Sequence, residues 1–149
     1  MVGLGEKVRD FNLKDQLGKD FTLSEFVGRK ILLSFHPLAW TSVCAKQMQS
    51  LEENRGAFEK RNTVAVGVSV DSVPCKKAWA EELKIEHTRL LADFWPHGAL
   101  ANQLGIFRDK DGFSERANII IDEQGKVMFV KVYPTKELPD INEIIKALG

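Results

Sequence analysis

Cysteine is scarce in this chain, with only Cys44 and Cys75 among 149 residues. Two cysteines do not build the disulfide framework of a small secreted domain, and in a reducing compartment they are reactive or redox-cycling sooner than structural. An excess of either charge is missing too, because 21 Lys and Arg balance 21 Asp and Glu. Nothing is therefore available to neutralise a run of phosphates, which argues against a nucleic-acid partner. No run approaches the ~20 apolar residues of a membrane span, and the opening MVGLGEKVRD has no apolar signal core, so the expectation is a cytoplasmic protein with no membrane partner. His36, His87, His97 and the two cysteines show no C-x-x-C or H-x-x-x-H spacing, so no metal site is expected. The glycines form no phosphate-binding pattern, and no cofactor is called for. Repeats, low-complexity tracts and linkers are also lacking, which leaves residues 1–149 as a single domain. At 44% hydrophobic residues it is long enough to bury a core around a central sheet.

Against that background the stretch Ile31 to Cys44, ILLSFHPLAWTSVC, stands out. Ile31 to Phe35 is too short and too continuously apolar for an amphipathic helix, so it reads as a strand buried on both faces. A long helix from about Ser42 to Lys60 follows, capped by Thr41 or Ser42, with Gln47, Met48, Leu51, Ala57 and Phe58 along one face. Cys44 falls in its first turn, where unpaired backbone N–H groups and the positive end of the helix dipole favour a thiolate over a thiol. The Thr41 hydroxyl can turn onto the same turn, and Pro37, which has no N–H, can cover the sulfur against bulk water. One reading of this set is a shielded, activated nucleophile. The other is a buried structural cysteine, since free cysteine is among the most buried residue types.

The rest of the chain supplies a layered frame. Phe11 and Leu13, then Phe21 to Leu23, flank the Asp15 to Asp20 turn as a hairpin at the sheet edge or flank. Ser24 to Phe26 reads as a helical turn that Gly28 ends. Thr63 to Val70 is a second buried strand, parallel to the first because a helix crosses over between them. Ser72 caps a second helix with Pro74 and Cys75 in its first turn. Leu90 and Leu91 make a short strand before the Asp93 to Gly98 loop, and Ala99 to Leu104 a brief helix closed by Gly105. Arg116 to Ile121 and Lys126 to Val132 pair across the Asp122 to Gly125 turn, and Pro139 to Leu148 is a closing amphipathic helix. Trp79, Phe94 and Trp95 read as core and pocket wall, with Phe94 and Trp95 also candidates for a dimer or substrate surface. The order predicts an α/β domain.

Pro37-x-x-x-Thr41-x-x-Cys44 resembles the active-site motif of the peroxiredoxins, thiol peroxidases of the thioredoxin fold superfamily. The resemblance runs from GEKVRDFNLKDQLGKDFTLSEFVGRK through VAVGVSVDS to SERANIIIDEQGKV. Within the family the chain is similar to the small one-domain enzymes of the bacterial alkyl hydroperoxide reductase E type. It implies a thioredoxin-like fold, a central mixed β-sheet flanked by helices with an N-terminal β-hairpin. It further implies thiol-dependent reduction of hydrogen peroxide or organic hydroperoxides, with Cys44 becoming a sulfenic acid and Pro37, Thr41 and Arg116 completing the site. On pattern alone Arg116 is as readily an ordinary strand-end arginine; the family match makes it the guanidinium beside the sulfur. No metal, haem or flavin is implied. Thioredoxin or a similar dithiol would return the electrons, and a homodimer built with the loops around the active site is implied. Three positions depart from the family pattern. Gln47 stands where many members carry a glutamate, while His36 and Trp40 replace common aromatics and are expected to wall the pocket, His36 as a packed, hydrogen-bonded side chain sooner than as a titrating group that tunes Cys44.

Cys75 follows the strand that neighbours the Ile31 strand, so its loop and that of Cys44 emerge on the same side of a parallel sheet. It is a candidate resolving cysteine, with partial precedent in the family, or else a small packed residue in a one-cysteine enzyme. Two other functions stay in view. A disulfide oxidoreductase of the thioredoxin type needs C-x-x-C at the helix start, where this chain has Thr41, and a cis-proline where it has Arg116-Ala117. An inactive binding or chaperone module is opposed by the intact set of Pro37, Thr41, Cys44 and Arg116.

Overall fold

The computed structural model describes residues 1–149. Its strands are β1 (Asn12–Lys14), β2 (Asp20–Thr22), β3 (Lys30–Phe35), β4 (Thr63–Ser69), β5 (Arg89–Ala92), β6 (Phe107–Arg108), β7 (Phe113–Ser114), β8 (Arg116–Ile121) and β9 (Val127–Tyr133). Its helices are α1 (Ser42–Glu53), α2 (Arg55–Glu59), α3 (Val73–Leu83), α4 (Ala99–Gln103) and α5 (Ile141–Leu148). Seven strands form one mixed sheet in the order β2-β1-β5-β4-β3-β8-β9, while β6 and β7 make a separate hairpin. The apolar stretch expected as an inner strand is β3, which pairs parallel with β4 and antiparallel with β8. Such a strand must be apolar on both faces, and all but Lys30 of its residues are buried.

Alternation along β3 and β8 sorts their side chains between two cores. Ile31, Leu33 and Phe35 face one side with Ala117, Ile119 and Ile121, under Leu100, Ala101 and Leu104 of the α4 segment. Leu32 and Ile120 face the other with Cys44, Met48 and Leu51 of α1, Trp79 of α3, and Ile144 and Leu148 of α5. Gly67 of β4 sits under α1 because a Cβ there would run into Met48 Sδ, Leu90 and His36. The β8–β9 turn takes its positive φ at Gly125, +83°, as expected of that hairpin.

Two features differ from the sequence-based expectation. The single helix expected over residues 42–60 is broken at Asn54, whose Nδ2 donates to the Ser50 carbonyl at 2.8 Å. A short amide that competes for backbone carbonyls favours a helix end over an interior, and α2 restarts after it. The β6–β7 hairpin was not anticipated, because two-residue strands carry no alternation to read. The end of α1 is tied down by Glu52, whose carboxylate accepts from the Glu86 and Thr88 amides at 2.9 and 2.8 Å and from the Thr88 hydroxyl at 2.8 Å.

Candidate active site

The C-terminal end of β3 runs through buried His36 and Pro37 into the first turn of α1. Thr41 is the N-cap by backbone geometry, with φ −112° and ψ 150°, and makes no side-chain capping bond. Its hydroxyl donates instead to the Leu38 carbonyl at 2.9 Å, which stiffens the loop and corrects the expectation that it turns toward the helix amides. The first intrahelical bond runs from Ala45 N to the Thr41 carbonyl, so the amides of Ser42, Val43 and Cys44 precede the ladder. Cys44 is 1% exposed in this turn.

Alternation places Arg116 and Asn118 of β8 on the α1 side of the sheet. Arg116 is 3% exposed, and its Nη1 lies 3.4 Å from Cys44 Sγ and 2.6 Å from Gln47 Oε1. Its Nε and Nη2 both donate to the Thr135 carbonyl, at 3.0 and 2.7 Å. Every oxygen it meets is neutral, so the sulfur is the one contact able to carry a balancing negative charge. Burying a guanidinium is costly unless it is paired. Pro37, Thr41, Cys44 and Arg116 line one cleft of about 350 Å³ together with Phe113 and Lys136. The sequence-predicted set is thus brought together around one sulfur.

Gln47 keeps the hydrogen-bonding role expected of it, accepting from Arg116 and donating to Ser34 Oγ at 2.7 Å and the Phe35 carbonyl at 3.1 Å. His36 is packed and bonded as expected, but neither it nor Trp40 lines the cleft. His36 lies beneath the loop, with Nε2 3.2 Å from Lys76 Nζ and its ring against Trp79. Burial, with Lys76 next in weight, holds its pKa well below the ordinary imidazole value, so the ring is neutral. Trp40 sits at φ +68° with its side chain 54% exposed. Trp79 is core, while Phe94 and Trp95 are exposed and not pocket wall.

Cys75 lies in the first turn of α3, where its amide donates to the Ser72 cap. Its thiol is half-buried and points at Asp71 Oδ1, 3.7 Å away. The other oxygen of that carboxylate accepts from the Ala39 amide at 2.8 Å and from Ser69 Oγ at 2.5 Å. Asp71 therefore joins the Cys75 turn to the loop that precedes Cys44. Burial, then the Asp71 charge, push the Cys75 thiol up, so it rests protonated.

Sequence reasoning missed Asp71, Lys76, Ser34 and Asn118. Each left a trace in the sequence. Lys76 falls three and four residues before Trp79 and Ala80 on the buried face of α3, and Ser34 and Asn118 interrupt the otherwise apolar ILLSF and ANIII.

The AhpC/TSA family model matches residues 4–130. Alkyl hydroperoxide reductase E of Mycobacterium tuberculosis is 33% identical over 141 residues, covering 94% of this chain and 92% of that one. Among solved structures, peroxidoxin BcpB from M. tuberculosis superposes with a TM-score of 0.86 at 26% identity, covering 99% and 97% of the two chains. The fold alone is shared with Enterococcus faecalis AhpC, TM-score 0.91 at 23% identity, covering 99% and 91%. A family match over most of the chain, a relative alike from end to end and the thioredoxin-fold architecture make this protein a peroxiredoxin of the AhpC/TSA family.

Proposed function

We propose that Cys44 is the nucleophile of the thiol-dependent peroxidase activity that goes with membership of this family. The carrying observation is the buried Arg116 guanidinium, 3.4 Å from Cys44 Sγ and without a carboxylate among its contacts. The thiolate attacks the terminal oxygen of hydrogen peroxide or an organic hydroperoxide. An S–O bond forms as the O–O bond breaks, the sulfur keeps the terminal OH as a sulfenic acid, and the leaving oxygen takes a proton from solvent to depart as water or alcohol. Negative charge spreads over both oxygens in the transition state, where Arg116 and the unbonded amides of the first turn of α1 meet it in a preorganised cleft. Pro37 and Thr41 shape the loop that excludes water.

Cys75 is proposed as the resolving thiol. Its proton passes to a base such as Asp71, its sulfur displaces hydroxide from the sulfenic acid, and water and a Cys44–Cys75 disulfide result. The shared Asp71 carboxylate supports this by tying the two turns together. Thioredoxin or a similar dithiol then reduces the disulfide. A cytoplasmic location suits two cysteines that must return to the thiol state. Exposed Leu38, Trp40, Phe94 and Trp95 supply apolar area for a homodimer that includes the active-site loops.

One experiment tests the chemistry. Reduced protein treated with one equivalent of peroxide should consume it and lose ~2 Da per chain as the disulfide forms. Cys44→Ser should abolish consumption, because a serine hydroxyl is not ionised near neutral pH. Arg116→Met should slow the reaction on the order of a hundredfold or more, as when one preorganised donor is lost. Full turnover by Cys44→Ser refutes the nucleophile, and a stable sulfenic acid with Cys75→Ser as active as wild type refutes the resolving role.

A further inference from the structure

A continuous line of hydrogen bonds leads away from the active-site sulfur and ends on the surface of α5. Arg116 Nη1 donates to Gln47 Oε1 at 2.6 Å, Gln47 Nε2 to Ser34 Oγ at 2.7 Å, and Ser34 Oγ to Asn118 Oδ1 at 2.8 Å. Asn118 Nδ2 donates to the Tyr133 oxygen at 3.4 Å, and the Tyr133 hydroxyl to Glu143 Oε1 at 2.9 Å. Ser34, Gln47, Asn118, Arg116 and Tyr133 are all buried.

Chemistry fixes the direction of every link. A guanidinium only donates, so Gln47 must turn its oxygen to Arg116; its nitrogen then faces Ser34 and the Phe35 carbonyl, which only accepts. Having accepted, the Ser34 hydroxyl gives its own proton to Asn118, which leaves the Asn118 amide nitrogen for Tyr133. The far end is a carboxylate that only accepts. All donors therefore point one way, from a cation at the sulfur to an anion at the surface, the arrangement in which each bond polarises the next. Hydrogen bonds from Lys131 and Tyr133 hold the Glu143 carboxyl below its ordinary range, and burial and the bond to Glu143 keep Tyr133 protonated.

The sheet gives no packing reason for this line. Two rungs away, on the same face of the sheet, β3 and β8 meet through Leu32 and Ile120, while Ser34 and Asn118 face each other directly. Two apolar side chains would satisfy that rung without desolvating an amide and a hydroxyl. What the polar rung does is restrain Gln47, and through it the Nη1 end of Arg116. The opposite edge of the guanidinium is held by the Thr135 carbonyl, so both of its restraints trace back to the segment from β9 to α5.

We propose that Tyr133 and Glu143 are positioning residues for the peroxide reaction, holding Arg116 against Cys44 through Asn118, Ser34 and Gln47. This rests on the reading of Cys44 as nucleophile and Arg116 as its cation. Without the Tyr133 hydroxyl, Asn118 Nδ2 loses its acceptor, the line through Asn118, Ser34 and Gln47 is cut off from the Glu143 carboxylate, and the bond that holds Arg116 Nη1 is no longer polarised and restrained from that end.

The test compares Tyr133→Phe, which keeps the ring, and Glu143→Gln, which keeps an acceptor without its charge, with the wild type. Stopped-flow peroxide reaction is followed across pH, with thermal melts alongside. Tyr133→Phe should lower the second-order rate constant ~3–10-fold and shift its pH profile upward, with Glu143→Gln moving both the same way by a smaller factor. The double variant should match Tyr133→Phe alone, because both cut one line. Unchanged rate and pH profile in both single variants overturn the proposal, as does a lowered melting temperature with rate and profile intact. Because Cys44→Ser reports separately on the nucleophile, loss of that reading is distinguishable from loss of this one. If Tyr133→Phe does not fold, Glu143→Gln, at the surface, decides alone.

Discussion

Lys76 is fully buried, with its Nζ on His36 Nε2 and 5.9 Å from the centre of the Trp79 ring. Burial drives its pKa from 10.5 down to about 7, against the upward pull of Asp71, Cys75, Cys44 and Asp93. Between those two values the unfolded chain binds more protons on this residue than the folded one does. Its contribution to stability therefore rises with pH from about 7 to 10.5, and below about 7 the full cost of a buried ammonium is felt. Lys76→Met, similar in shape, should raise the melting temperature at pH 7 by several degrees and flatten that alkaline rise in thermal melts. A fall at pH 7 refutes the account. The same change removes a positive charge near both thiols, and a peroxide reaction slowed ~2–10-fold is expected. Lys76 was hidden in the sequence because one of two adjacent lysines looks like any solvated helix face. Cys44, Pro37 and Thr41 were legible because they lie within eight consecutive residues, whereas Arg116, far along the chain, was legible only through the family resemblance, since it is β8 that carries it to the sulfur.

At the scale of elements, Glu52 shows how one carboxylate holds a helix end. Burial raises its pKa, but the amide of Glu86 and the hydroxyl and amide of Thr88 outweigh this and take it from 4.5 to about 2. A carboxyl with its pKa lowered in the fold stabilises fully above 4.5, and that contribution is lost as pH falls toward 2. Glu52→Gln should lower stability by ~1–3 kcal/mol at pH 7 and by much less at pH 3, measured by urea denaturation at both. An equal loss at the two pH values would show that charge has no part in the clamp. The strands were the most readable elements, since β3, β4 and β8 are mostly apolar on both faces and are bounded by Pro, Asp or Gly. The break between α1 and α2 was not, because Asn54 stops a helix only through a bond that its side chain makes to Ser50. Nor could periodicity reveal β6 and β7, which are two residues long and too short to show alternation.

For the molecule as a whole, the layered α/β order was readable from element sequence alone, but not what its surfaces meet. Trp40, Phe94 and Trp95 are 54, 50 and 80% exposed. An apolar surface built from such side chains is a candidate for cover by another chain. On the proposed homodimer, the wild type should have the mass of two chains in light scattering at micromolar concentration and Trp95→Asp that of one; an unchanged mass would place any self-association elsewhere. A different whole-molecule consequence follows from the buried guanidinium. In the proposed reaction the sulfur that meets Arg116 attacks as a thiolate, whereas the sulfenic acid it becomes is neutral. The proposed reaction thus discharges the contact that anchors the first turn of α1, while Glu52 still fastens the other end of the helix. In the proposed cycle, loss of that charge would loosen the turn at the step in which its sulfur has to travel toward Cys75, with no separate trigger.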